Sequence, residues 1–271
     1  MKEYLNDLIR NSSGLLSGRL IAREYLQAGI LKALQEAGAF TNWAFLGGTA
    51  LRFLYSLPRF SEDLDFSLKE AGKDSAFIER MEKIKKSFTR EGYHVEIKAR
   101  ADKTVQSAFL RFPGLLAELG LSALPAEVLS IKVEIDTNPP AGARFSSTVV
   151  RRHHLLNLLH YDKSSLLAGK MHALLTRKYV KGRDLYDLVW YLSDKTWPKP
   201  NTVLLQNALV QSKWPGAEVN ETNWMELLRR RCAALDWRQV VSDVRPFIEN
   251  SREVDLLTAE TVDGLLRESP E

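Results

Sequence analysis

The chain has one cysteine, Cys232, in 271 residues. An intramolecular disulfide is therefore impossible, and a four-cysteine zinc site is excluded. No apolar run approaches the length needed to cross a bilayer. The first residues, Met1 to Asp7, carry acidic side chains and no apolar signal segment, so a cytoplasmic protein is expected. No G-x-x-x-x-G-K-[ST] loop occurs, which argues against a P-loop enzyme. No serine or cysteine nucleophile motif is visible. His153, His154, His160 and His172 show no zinc spacing. Charge is not strongly one-sided either: 38 basic against 34 acidic residues leave a formal +4. That balance permits a nucleotide or nucleic-acid partner without demanding one.

What the chain does have is centred on Phe45-Leu46-Gly47-Gly48-Thr49-Ala50-Leu51-Arg52, followed by Arg59-Phe60-Ser61-Glu62-Asp63-Leu64-Asp65-Phe66. Trp43 to Leu46 reads as a short apolar strand ended by paired glycines. Thr49 is placed to cap a helix from about Ala50 to Tyr55, ended by Pro58. Asp63 to Leu68 alternates polar and apolar, which is the period of a strand, and it sets Asp63 and Asp65 on one face. Glycines at a strand-to-helix turn let backbone N–H groups approach a phosphate, and the helix N-terminus adds its dipole. Two carboxylates on one face repel unless a cation lies between them, and Mg²⁺ takes such oxygen ligands while leaving positions for substrate phosphates. A phosphate cradle beside a metal pair suits nucleotidyl or phosphoryl transfer with two metal ions.

The rest of the chain offers parts for that site. Leu15 to Ala37 and Lys73 to Arg90 are expected helices, and Tyr93 to Arg100 and Val105 to Phe112 expected strands. Val128 to Asp136 is another strand, in which Lys132, Glu134 and Asp136 share one face, so Glu134 or Asp136 is the candidate third carboxylate, with Glu134 preferred. Phe145 to Val150 is an expected edge strand. From about Leu155 the pattern turns helical: Ser164 to Arg177, Arg183 to Ser193, Thr202 to Ser212, Asn223 to Leu235, Val240 to Glu249 and Leu256 to Arg267. Lys170 is a candidate for the β/γ-phosphates. Asp184 and Asp187, three apart on a helix, lie near one another and both suit its first turn; Asp184 can fix Arg183, Lys170 or a base. Arg59 is a second candidate phosphate contact, whereas Arg52 can instead pair with an acidic side chain. The expected organisation is a mixed α/β core over 1–160 and a mostly helical region over 161–271 that contributes to the active site.

GGTALR, then RFSEDLDF, then GRDLYDL on a late helix, together resemble the AbiEii/AbiGii-type nucleotidyltransferases, related to the MenT-type toxins, over roughly residues 40 to 195. The resemblance implies an α+β, polymerase-β-like nucleotidyltransferase fold with a mixed sheet and helical additions. It implies that Gly47, Gly48, Thr49, Asp63 and Asp65 form the first motif, with the two aspartates on Mg²⁺. Lys170 and Asp184 match the family's later lysine and aspartate. It also implies a nucleoside triphosphate substrate, the tRNA 3′ end as acceptor, and a separate antitoxin protein from a neighbouring gene. Two other outcomes stay open from the residues: kinase-like transfer to RNA or protein, and nucleotide binding without turnover.

Overall fold

A computed structural model describes residues 2–12 and 14–267. The chain divides into two compact units. The first holds the residues up to Leu54, then Phe60–Pro139 and Ser147–His160; the second holds Tyr55–Arg59, Pro140–Ser146 and the chain from Tyr161 onward.

The first unit begins with α1 (Lys2–Arg10) and α2 (Leu15–Glu36). The sequence pattern did not announce α1. Glu24, Tyr25, Leu26, Gln27 and Ala28 of α2 follow one another and are all buried, so this helix is core on most of its circumference rather than on one stripe. Then follow β1 (Trp43–Leu46), α3 (Gly47–Tyr55), β2 (Leu64–Leu68), α4 (Phe77–Arg90), β3 (Glu96–Arg100), β4 (Val105–Pro113), α5 (Leu115–Glu118), β5 (Val128–Asp136), β6 (Phe145–Arg152) and β7 (His154–Tyr161).

The strands form one seven-stranded mixed sheet in the order β3-β4-β5-β2-β1-β7-β6. Strand β2 runs antiparallel to β1 and parallel to β5, while β4 pairs antiparallel with β5 and β3. In β5, Leu129, Ile131, Val133 and Ile135 are buried and the residues between them are half-buried. That is the period-two pattern of a sheet with one face packed and the other open. In β4 the packed face is Ala108, Leu110 and Phe112.

Several elements of this unit differ from the sequence expectation, three of them instructively. Helix α3 starts at Gly47 rather than Ala50, so the paired glycines are its first turn and not a loop before it. Helix α4 starts at Phe77 rather than Lys73, because Trp43 Nε1 donates to the Ser75 carbonyl (3.0 Å) and Ala76 N donates to Asp74 Oδ1 (2.9 Å), which hold the preceding residues in a turn. The run His154 to Tyr161, to which the sequence pattern assigned no element, is strand β7 paired in parallel with β1 at Phe45 and His160. Its Leu156 and Leu158 are fully buried, with Leu155 exposed.

The second unit is helical: α6 (Lys163–Thr176), α7 (Gly182–Leu192), α8 (Thr202–Gln211), α9 (Trp224–Ala233), α10 (Trp237–Val244) and α11 (Ala259–Arg267). Asp162 caps α6 by accepting from Ser165 N at 2.8 Å, and Asn201 caps α8 by accepting from Leu204 N at 3.0 Å. Helix α10 stops at Val244 instead of running to Glu249, since Pro246 cannot donate the next helical hydrogen bond.

Candidate active site

In the first unit, β1 delivers the chain straight into the first turn of α3. Antiparallel pairing sets Leu46 opposite Asp65, and parallel pairing sets Asp65 opposite Glu134. Asp65 thus stands beside the N-terminus of α3 on one side and Glu134 on the other. The contact with the helix is close. Gly47 has φ +82°, and a Cβ there would lie 2.6 Å from Asp65 Oδ2. Only glycine meets both conditions without moving the carboxylate. The first N–H groups of a helix have no intrahelical acceptor, so this turn supplies donors and positive potential next to Asp65.

Asp63 sits one residue before β2. Its carbonyl accepts a hydrogen bond from the Thr49 hydroxyl, and Thr49 is fully buried. The hydroxyl of this residue of the first motif therefore ties α3 to the start of β2 and sets where Asp63 lies. Both aspartates are half-buried.

The register separates the two candidates for a third carboxylate. Glu134 is the direct neighbour of Asp65, whereas Asp136 is the neighbour of Ser67, two pairs further on. Glu134 Oε1 accepts from Lys132 Nζ at 2.8 Å. Asp136 accepts from Asn138 N at 2.9 Å, and burial raises its carboxyl above the ordinary range despite that bond. Among the described residues no three carboxylate, imidazole or thiol groups converge as a metal cage. Asp63, Asp65 and Glu134 offer carboxylate oxygens, the donors that a hard divalent cation takes.

A second charged cluster in this unit is structural. Glu24 of α2 is paired with Arg52 of α3, with Arg152 (3.1 Å) and with His153 (3.4 Å). Burial would raise its pKa, but the His153 hydrogen bond and the charges of Arg52 and Arg152 outweigh that and bring it to about 2. Arg52 also stacks on the Phe60 ring, 4.1 Å from its centroid.

The second unit holds the other residues singled out in the sequence. Lys170 of α6 is buried and donates to Asp184 Oδ1 at 3.0 Å and pairs with Asp187 Oδ2 at 2.6 Å. Arg59 is 2% exposed and grips Asp187 with two bonds of 2.6 Å. Arg177 pairs with the other oxygen of Asp184. Burial lowers the Lys170 pKa, but the Asp187 and Asp184 charges raise it further, so the ammonium stays charged. Burial raises Asp184, and Lys170 and Arg177 carry it below its usual value. Arg59, expected at a phosphate, has its guanidinium engaged by Asp187. Asp187 is the centre of this network and was the less emphasised of the two aspartates in the sequence. Its only signal there was the three-residue spacing from Asp184.

The mixed sheet with flanking helices and a helical C-terminal region is the α+β nucleotidyltransferase fold. Two crystal structures share it: JHP933 from Helicobacter pylori, with a TM-score of 0.53 and 19% identity over 92% of each chain, and a candidate nucleotidyltransferase from H. pylori, with a TM-score of 0.54 and 20% identity over 90% of this chain and 93% of that one. At that identity they establish the fold alone. No curated protein sequence matches. The family described as nucleotidyl transferase AbiEii toxin, type IV TA system, matches residues 29–266, and the chain belongs to that family. It is a nucleotidyltransferase toxin of a toxin–antitoxin system, a class that works on nucleotides with a divalent metal and has an antitoxin partner. No helix among the described residues is long and apolar enough to cross a membrane.

Proposed function

We propose that the protein is a Mg²⁺-dependent nucleotidyltransferase that moves a nucleoside monophosphate from a nucleoside triphosphate to an acceptor hydroxyl, the acceptor being the tRNA 3′ end. The observation that carries this is the row Leu46, Asp65, Glu134 with Gly47 pressed against the Asp65 carboxylate. Asp63 and Asp65 are the metal ligands and Glu134 the third carboxylate, released from Lys132 when the site is loaded. Bound Mg²⁺ would supply the charge that makes the acceptor hydroxyl acidic and the leaving pyrophosphate stable. The N–H groups of Gly47 and Gly48 orient the triphosphate at the start of α3, and Thr49 holds Asp63 in place from below. The acceptor oxygen bonds to the α-phosphorus, the bond to the bridging oxygen breaks, pyrophosphate leaves with the electron pair, and the hydroxyl proton passes to water. Lys170 and Asp184 are the residues matched by resemblance to the family's later lysine and aspartate, and the charges of Asp187 and Asp184 keep the lysine an ammonium against its burial. The protein acts in the cytoplasm, and its antitoxin is the product of a neighbouring gene.

The test is incubation with total RNA and each triphosphate labelled at the α or the γ position. Label from the α position should appear on an RNA of tRNA size, and Asp63→Ala or Asp65→Asn should abolish it while leaving the thermal unfolding transition in place. Label from the γ position alone would replace this reading with phosphoryl transfer. Nucleotide binding without any labelled acceptor would reduce the chain to a binding protein.

A further inference from the structure

The sheet face that carries Asp65 and Glu134 does not end at them. The Cα partners continue the Asp65–Glu134 row through Ser107 of β4 to Arg100 of β3, and the next row runs Lys132–Phe109–Lys98. Partners across a sheet project to the same side. Lys132 shows it directly, since its Nζ reaches Glu134 at 2.8 Å and lies 5.8 Å from the centre of the Phe109 ring. A third row adds Arg111, opposite Ser130 on β5 and Glu96 on β3.

Phe109 is 45% exposed in the interior of this face. A lone exposed apolar side chain is ordinary. This one is different in its surroundings. Lys132 and Lys98 stand on either side of it in its own row, and Arg100 and Arg111 are exposed in the rows beside it. The acidic groups on the same stretch are Glu134, which holds Lys132 at 2.8 Å, Glu96, opposite Arg111 in the far row, and Asp102, 3.7 Å from Arg100, so Lys98 is the cation of this group with no acidic partner in its own row. An aromatic ring ringed by cations is the chemistry that receives an unpaired base and its phosphates. From β2 to β3 is three strand spacings, about 14 Å, so the platform starts beside the carboxylates and extends outward over a few nucleotides.

We propose that this face, with Phe109 at its centre and Lys98, Arg100, Arg111 and Lys132 around it, binds the single-stranded end of a polynucleotide acceptor. A base stacks on Phe109, the cations hold the flanking phosphates, and the strand is led toward Asp65 and Glu134. The proposal rests on the nucleotidyltransferase reading above for what happens to the strand next, but binding is measured without turnover.

The experiment is fluorescence anisotropy with a labelled single-stranded RNA of about 12 nucleotides, without nucleotide present. Phe109→Ala should weaken binding about tenfold and Phe109→Tyr should restore it. Lys98→Gln with Arg100→Gln should reduce the slope of log affinity against log salt by about 1.4, or about 0.7 for each phosphate no longer neutralised. A blunt duplex of the same length should bind more weakly than the single strand. Equal binding by Phe109→Ala and the wild type, or tighter binding of the duplex, overturns the platform. So does loss of antitoxin binding by Phe109→Ala with RNA binding intact, which would make the face a protein-docking surface. A wild-type chain that labels no acceptor overturns the reading of the active site and leaves this binding result standing.

Discussion

Gly47 shows how much can depend on the absence of one carbon. Its neighbour Asp65 occupies the space a Cβ would need, and its backbone is left-handed as well. Gly92 provides the control, with the same φ of +82° and open space around it. Alanine at either position should cost about 1–2 kcal/mol from the backbone alone. Gly47→Ala should also displace the Asp65 carboxylate and lower the transfer rate at least tenfold, while Gly92→Ala keeps wild-type transfer. Urea unfolding with a labelling assay on both variants reads the two effects apart, and equal transfer rates would show that the close approach has no catalytic meaning. The glycine pair was legible in the sequence. The identity of its contact was not, because Asp65 lies 18 positions away and meets Gly47 only through the β1–β2 register. Thr49 is similar: the residue was conspicuous, but its hydroxyl turned out to hold a backbone carbonyl, a role that composition and spacing do not encode.

At the scale of elements, Glu24 joins α2 to α3 and to the turn between β6 and β7 through Arg52, Arg152 and His153. Its folded pKa of about 2 lies below the ordinary 4.5. The native state therefore binds this proton less readily than the unfolded chain. The resulting stability, about 3 kcal/mol, is present above pH 4.5 and is lost as pH falls toward 2. Glu24→Gln should be destabilised near neutral pH and should converge on the wild type in acid. Parallel stability–pH profiles from urea titrations would reject the assignment. Strand β5 has the bounds its alternation suggests, and β1 those of its apolar run before the paired glycines. Strand β7 was not legible. Its run of leucines fits a buried helix and a buried strand alike, and pairing with β1 decided between them.

For the whole molecule, family membership makes growth arrest the natural readout. Expression without its partner should stop growth, Asp65→Asn should not, and the product of the neighbouring gene should restore growth when co-expressed. A toxic Asp65→Asn chain would separate toxicity from the carboxylate site. The sequence by itself determined the class: a glycine pair, two aspartates at i and i+2, and a late GRDLYDL helix are local patterns, and local patterns survive without coordinates. It determined equally the alternation that puts Lys132, Glu134 and Asp136 on one face. Only the tertiary structure decided that Glu134 rather than Asp136 stands beside Asp65, that Arg59 grips Asp187, and that Phe109 lies on the face of the carboxylates. Each of these is a relation between residues distant along the chain, set by strand register or by burial of charge, and a one-residue slip in register would move every such side chain to the other face.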